Sequence, residues 1–289
     1  MLTLRAHAKV NLALSVGPPA PPRGYHPIAS LFACIDLHDE LTLARDERAG
    51  DAWLSIAWAG DAPRASAIDW PIEKDLCFRA HALLQERAGR ALPVRAKLIK
   101  RTPVGGGLGG GSSDAASMLL GLRTLFDLRV SDDELIAIAG RLGSDIAFFI
   151  DGPHTPARGA IVTGFGERIE RVTVKPRELL LLVPSFGCPT GAVYQAFDRA
   201  PVVLDEQRVR ALVAQGVPVS GLFNDLASPA CAVEPRVRKI IDELAGAGVT
   251  AHVTGSGSTM FVLDPRAGDG EHIGRVCPEL VVMPARTVG

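Results

Sequence analysis

The sequence predicts an α+β chain of two lobes, each a mostly antiparallel sheet packed with helices. Three observations carry this. Strand and helix patterns alternate only loosely along the chain, which favours antiparallel sheets over a doubly wound parallel one. The 289 residues amount to about two domains at the usual ~100–200 residues each. GPHTPARG, from Gly152 to Gly159, has the composition of a linker and divides the chain into lobes at 1–155 and 156–289.

The elements follow in order. Thr3 to Val16 and Leu31 to Leu43 read as strands joined by the Pro/Gly-rich GPPAPPRGYHP, which sets an aromatic and a histidine in a turn. A helix follows from Ile72 to Arg87. Val94 to Lys100 (VRAKLIK) alternates as a strand should, and Ala115, Ala116, Leu119, Leu122, Leu125 and Phe126 recur at helical spacing from Ser113 to Phe126. Between these two lies GGGLGGG, six glycines in the seven residues Gly105 to Gly111, which does not suit the interior of a regular helix or strand. Ser131-Asp-Asp-Glu134 is a capping box that opens a helix through Leu142, with Gly143 set to end it. The short apolar segment DIAFFI completes this lobe. The second lobe offers strands at Leu179 to Val183, His252 to Thr254, Thr259 to Leu263 and Leu280 to Met283, with helices around Gly191 to Phe197, Asp205 to Gln215 and Pro235 to Ala247.

Composition excludes several classes. Hydrophobic residues at 47% and charged residues at 22% are those of an ordinary globular chain. The net charge of −1 gives no global field for nucleic acid or an anionic membrane, and aromatics at 5% are too sparse for single-strand stacking platforms. The longest aliphatic run, Leu179 to Val183, is far short of a bilayer span. The N-terminus lacks the features of a secretory signal and reads as a mature strand of a cytoplasmic protein. Cys34, Cys77, Cys188, Cys231 and Cys277 are widely spaced with no CxxC pair, so they read as buried reduced thiols. The histidines form no clustered-ligand pattern for a structural transition metal.

The chemistry concentrates in PVGGGLGGGSSDAA from Pro103. Glycines let the backbone close around several oxygens, and the following helix N-terminus adds partial positive charge, so this is a phosphate cradle. Ser112 and Ser113 are candidates to donate to phosphate or to ligate Mg²⁺. No lysine follows the glycines, which excludes a Walker A loop. Gly105-x-Gly107-x-x-Gly110 formally fits the dinucleotide fingerprint, yet it starts about 100 residues in and no strand ending in an acidic residue follows ~20 residues on, so hydride transfer is the lesser reading.

PVGGGLGGGSSDAA resembles the second motif of the GHMP kinases, small-molecule kinases named for galactose, homoserine, mevalonate and phosphomevalonate. Ala8-Lys9-Val10-Asn11-Leu12 resembles their N-terminal strand motif, and Thr254-Gly255-Ser256-Gly257-Ser258 their third, glycine-rich motif. AKVNLALSV, RGYHPIASLF, DLCFRAHALL, LGSDIAFF, TGFGE and FNDL resemble the branch whose acceptor is a cytidine diphosphate derivative of methylerythritol. The sequence departs from that branch at Ala147, where proline is usual, and in the extra residues PHTPAR before the turn at Gly164 to Glu167.

The resemblance implies a two-lobed GHMP-kinase-like fold and an ATP- and Mg²⁺-dependent phosphorylation of an alcohol in isoprenoid precursor synthesis. Other acceptors of the superfamily, homoserine or mevalonate, are the rivals within it; a non-catalytic nucleotide-binding relative is the rival outside. It points to Lys9 and Asp145 as the catalytic pair. From spacing alone Asp145 would equally serve as an N-cap, and Lys9 as an outward strand lysine. Pro103, Val104, Gly105, Gly106, Gly107, Leu108, Gly109, Gly110, Gly111, Ser112 and Ser113 would hold ATP. Tyr25, His26 and Phe186 would form a cytidine pocket, although a lone Tyr or Phe is also an ordinary core residue. Asn11 would bond the erythritol or diphosphate portion, or else satisfy backbone, and Gly255, Ser256 and Gly257 would bring a second backbone loop near the phosphates. A monomer or weak homodimer is expected.

Overall fold

The computed structural model describes residues 1–21, 24–46, 48 and 53–289. Pro22 and Arg23 of the first connector lie outside the described residues. The chain forms two compact units interleaved in sequence: one of Met1–Ala8, Leu37–Val104 and Gly109–Ala157, the other of Lys9–Asp36, Gly105–Leu108 and Arg158–Gly289. The interleaving follows from two long strands, β1 (Leu2–Val16) and β2 (Ile28–Arg45), each of which contributes residues to both units.

In the first unit, the C-terminal part of β2 pairs antiparallel with β4 (Val94–Lys100), and β4 pairs parallel with β3 (Leu54–Trp58). Helix α1 (Leu76–Ala88) packs on α2 (Gly110–Leu125), with α3 (Asp132–Ala139) beside them. The alternation of β4 buries Val94, Ala96, Leu98 and Lys100, so one lysine faces inward with three apolar side chains. Gly121 lets α2 approach the sheet closely, since a Cβ there would lie 2.5 Å from Leu43.

In the second unit, β2 pairs with β5 (Ala160–Gly164), which pairs with β6 (Arg168–Arg171), both antiparallel. An antiparallel run joins β11 (Val281–Val288), β7 (Glu178–Val183), β10 (Met260–Leu263) and β9 (His252–Val253), and the C-terminal half of β1 pairs parallel with β8 (Phe223–Asn224). Helices α4 (Thr190–Phe197), α5 (Glu206–Ala214), α6 (Ala227–Val233), α7 (Pro235–Gly246) and α8 (Asp269–Val276) complete it. The class is α+β with predominantly antiparallel pairing, as the sequence predicts.

Several boundaries differ from the sequence reading. Residues 72–74 form a 3-10 turn, and Asp75 then caps α1 by accepting from the Cys77 N–H at 2.8 Å, so the α-helix starts later than Ile72. Helix α2 starts within the glycine run, at Gly110, because Gly109 takes the left-handed conformation of its N-cap. The Ser131–Glu134 capping box forms, yet α3 ends at Ala139 with Gly140 as its cap and Gly143 beyond it. The sequence reading does not include strands β3, β5, β6 and β8 or helices α6 and α8. Their stripes are short or polar: α8 buries only Ile273. All five cysteines are buried free thiols.

Candidate active site

Strand β1 turns from half-exposed to buried after its first turn of alternation, and three polar residues, Lys9, Asn11 and Ser15, are among those buried. Buried polar groups need partners. The Lys9 ammonium, 2% exposed, donates to Asn11 Oδ1 at 2.7 Å and to the Gly107 carbonyl at 3.1 Å, and lies 4.6 Å from the centre of the Phe32 ring. Asn11 is committed on every side. Its Oδ1 also accepts from Thr254 Oγ1 at 3.2 Å, its Nδ2 donates to Ser30 Oγ at 2.9 Å, and its backbone N–H donates to Thr254 Oγ1 at 2.9 Å. Lys9 is therefore held by Asn11 and not turned outward.

The two glycine segments meet at this lysine. The Lys9 N–H donates to the Leu108 carbonyl at 2.9 Å, and buried Leu108 anchors the run between its two glycine triplets. Gly107 has φ +78°, and a Cβ on it would stand 2.4 Å from the Thr254 carbonyl oxygen. A Cβ on Gly255 would stand 3.0 Å from the Gly107 carbonyl oxygen. Only backbone fits at this crossing. Gly105 also has a positive φ, but a Cβ there meets open space. The run leads into α2, whose N-cap Gly109 supplies no side-chain cap, so the first-turn N–H groups are left to an external acceptor. Of the two hydroxyls that follow, Ser113 is buried and Ser112 is half-exposed.

Beneath the start of α2 lies a charged cluster that motif reading missed. Lys100 Nζ donates to Asp39 Oδ2 and to Asp114 Oδ2, both at 2.6 Å, with all three residues under 5% exposed. Asp39 Oδ1 accepts from the Arg101 and Thr102 N–H groups at 2.5 and 2.7 Å. Burial pushes the Asp114 carboxyl up from its ordinary value, opposed by Lys100 and reinforced by Asp39. The alternation of β4 carried the signal, since it sets Lys100 on the apolar face.

Asp145 stands half-buried in the turn before a 3-10 helix at residues 147–149, and the N-cap of that helix is Ile146. Ser144 Oγ lies 3.4 Å from its Oδ1. Lys9 falls in one compact unit and Asp145 in the other.

The residues read as a base pocket lie on several loops of the second unit. Tyr25 is 60% exposed and paired through its backbone with Ala20, so it is no core residue. His26 is fixed by Gly17 O at 3.0 Å from Nδ1, by Asp198 at 3.5 Å from Nε2, and by the Tyr194 and Phe197 rings. Phe186 is half-buried with the Arg236 guanidinium 4.1 Å from its ring centre. Glu234 in turn holds Arg236, at 2.8 Å from Nε. The Phe186 carbonyl accepts from Ser258 Oγ, and Thr190 Oγ1 lies 3.0 Å from Ser256 Oγ, which ties this loop to the third glycine segment. Ser256 is buried, so Gly255 is the more open part of that segment.

A buried lysine at a crossing of two glycine segments, an uncapped helix start and an α+β scaffold define a GHMP kinase, and residues 75–153 match the GHMP kinases N terminal domain. The chain is 35% identical over 273 residues to 4-diphosphocytidyl-2-C-methyl-D-erythritol kinase of Polynucleobacter asymbioticus, covering 92% of this chain and 85% of that one. To the kinase of the same name from Caulobacter sp. (strain K31) it is 38% identical over 286 residues, covering 92% and 89%. A crystal structure of 4-(cytidine 5'-diphospho)-2C-methyl-D-erythritol kinase superposes with a TM-score of 0.75 at 30% identity, covering 100% of both chains. The chain belongs to the 4-diphosphocytidyl-2-C-methyl-D-erythritol kinase family.

Proposed function

We propose that this chain uses ATP to phosphorylate the 2-hydroxyl of 4-diphosphocytidyl-2-C-methyl-D-erythritol, giving the 2-phosphate and ADP, in the methylerythritol phosphate route to isoprenoid precursors. The observation that carries the reading is the crossing of Gly107 and Thr254 beside Lys9, too close for any side chain, as a backbone cradle for phosphate requires. The names of the family's members support the acceptor.

In this reading residues 1–155 bring Lys9, the nucleotide loop and Asp145, and residues 156–289 bring Phe186 and the third glycine segment. The acceptor oxygen attacks the terminal phosphorus, the bond from that phosphorus to the ADP oxygen breaks, and Asp145 accepts the hydroxyl proton. Lys9, oriented by Asn11, offsets negative charge on the reacting oxygens. Asn11 works through Lys9, since its own side chain is committed to protein partners. Pro103 to Ser113 hold the triphosphate. Bound together with ATP, Mg²⁺ would supply positive charge against the phosphoryl oxygens. Ser112 is its candidate ligand in this reading, being the hydroxyl of the pair that reaches the surface. Tyr25 and Phe186 stack on the cytosine, and the main chain of the Tyr25–His26 turn bonds its edge, since the His26 ring nitrogens are engaged by Gly17 and Asp198. The enzyme works in the cytoplasm.

ADP release measured with a panel of acceptor alcohols tests the reading. Turnover is expected with the cytidine diphosphate acceptor and not with homoserine or mevalonate. Turnover with either of those reassigns the acceptor, and ATP binding without product from any acceptor removes the catalytic reading.

A further inference from the structure

We propose that the buried Lys100–Asp39–Asp114 cluster anchors both ends of the nucleotide loop, with Lys100 as the positioning residue that joins them. The proposal rests on the reading of the glycine run as the triphosphate cradle. It concerns three side chains that the reaction itself does not use.

The loop's first end is held by Asp39. Its Oδ1 accepts from the backbone N–H groups of Arg101 and Thr102, the last two residues before Pro103, and its Oδ2 accepts from Lys100 at 2.6 Å. The second end is α2, where Asp114 accepts from the same ammonium at 2.6 Å. The ends also touch directly, because a Cβ on Gly110 would lie 2.7 Å from the Thr102 side chain. Residues 102–110 therefore form a loop whose two ends meet over one ammonium.

Stability does not account for this arrangement. Two carboxylates share one lysine in a site with almost no solvent, and the Asp114 Oδ1 and Thr102 Oγ1 atoms are buried without a hydrogen-bond partner. Burying ion pairs costs more desolvation than apolar residues of the same volume would, and unpartnered buried oxygens add to that cost. What the cluster provides is geometric. Charge-assisted hydrogen bonds from one point fix where the loop leaves β4 and where α2 begins, and the N–H groups that receive phosphate lie between those points. Lys100 also offsets carboxylate charge under a helix start that receives a polyanion.

Two variants test the assignment. Asp114→Ala keeps the Lys100–Asp39 pair and releases only the helix end, and Lys100→Met/Asp114→Asn removes the shared ammonium without leaving two bare carboxylates. Each is expected to raise the ATP KM about tenfold, the loss of roughly one charge-assisted hydrogen bond, with the acceptor KM unchanged. Hydrogen exchange of the 105–111 amides in the nucleotide-free protein is expected to quicken in both. An unchanged ATP KM in folded Asp114→Ala, or equal rises in both KM values, overturns the proposal. Gly107→Ala, measured alongside, separates the two readings. If it leaves the ATP KM unaltered, the cradle itself is misassigned; if it raises the ATP KM while the anchor variants do not, only the anchor is.

Discussion

Lys9 is a charged side chain with 2% exposure, and its burial is tolerable because Asn11 and the Gly107 carbonyl accept from it. Asp145 stands half-buried in the turn before the 3-10 helix at residues 147–149, whose N-cap is Ile146. Lys9→Met and Asp145→Asn should each lower kcat at least ~100-fold with ATP affinity nearly intact, and the double variant should be scarcely worse than the poorer single. Single-turnover kinetics with independent ATP titrations measures this; multiplying losses would show that the two do not act as a unit. Tyr25 and Phe186 call for a different readout. Tyr25→Ala and Phe186→Ala should raise the acceptor KM by the ~1–3 kcal/mol typical of base stacking and leave the ATP KM unchanged. Equal losses for both substrates would indicate collapse of the surrounding loops. At Phe186 the Arg236 guanidinium already covers one ring face and would support a base stacked on the other.

Among the elements, the glycine run does the most specific work, and its glycines are not equivalent. Gly105 needs its glycine only for φ +72°, since a Cβ there meets nothing within 4 Å. Gly107 needs it both for φ +78° and for the 2.4 Å approach to the Thr254 backbone. Gly105→Ala should therefore weaken ATP binding only modestly, through the ~1–2 kcal/mol cost of a left-handed conformation. Gly107→Ala should weaken it far more, because the clash is with backbone that has no rotamer to escape into. Gly107→Val should abolish binding in a protein that still folds. Calorimetric titration of ATP gives the ranking, and equal affinities for the two alanine variants would refute a contact-based cradle. Helix α2 continues the same logic: with Gly109 as its cap, its first N–H groups have no side-chain acceptor, which suits an anion better than a polar cap would.

For the whole molecule, two histidines link stability to pH. His81, buried and with Nε2 at 2.9 Å from the Leu92 carbonyl, has its pKa lowered by burial, and His252 is lowered for the same reason. Both have folded values below the ordinary 6.5 of the unfolded chain. The unfolded state thus binds more protons as the solution acidifies, so the contribution of the neutral histidines is complete above about pH 6.5 and is lost as pH falls towards their folded values. Thermal melting at pH 7.5 and 5.5 should show a Tm lower at the acid value by on the order of a few degrees. His81→Gln, which keeps a donor for Leu92, should flatten that difference, and an unaltered pH slope would remove His81 as a source. No helix among the described residues is long and apolar enough to cross a membrane.

Local chemistry fixes what was legible without a structure. The alternation of β4, the Ser131 capping box and the glycine run between a strand and a helix each depend on neighbours within a few residues, and each stands in the fold as read. The resemblance to the GHMP kinase motifs, carried by short local segments, singled out Lys9, Asn11 and the third glycine segment, which spacing alone left ordinary. What the sequence could not contain is which distant groups share a point in space. Thr254 reaches Asn11 across 243 residues and Asp39 reaches Thr102 across 63. Whether Asn11 would face substrate or satisfy backbone, and whether Asp145 would cap a helix, were open to spacing alone because a side chain's role is set by whatever packs against it, and the bond from Lys9 to Asn11 appears only in the fold. The interleaving of the two compact units is likewise a product of length, since β1 and β2 run on past the edge of either one. Propensity and capping act over a single turn, whereas the burial of a lysine between two carboxylates is decided only when β2, β4 and α2 close around it and exclude water.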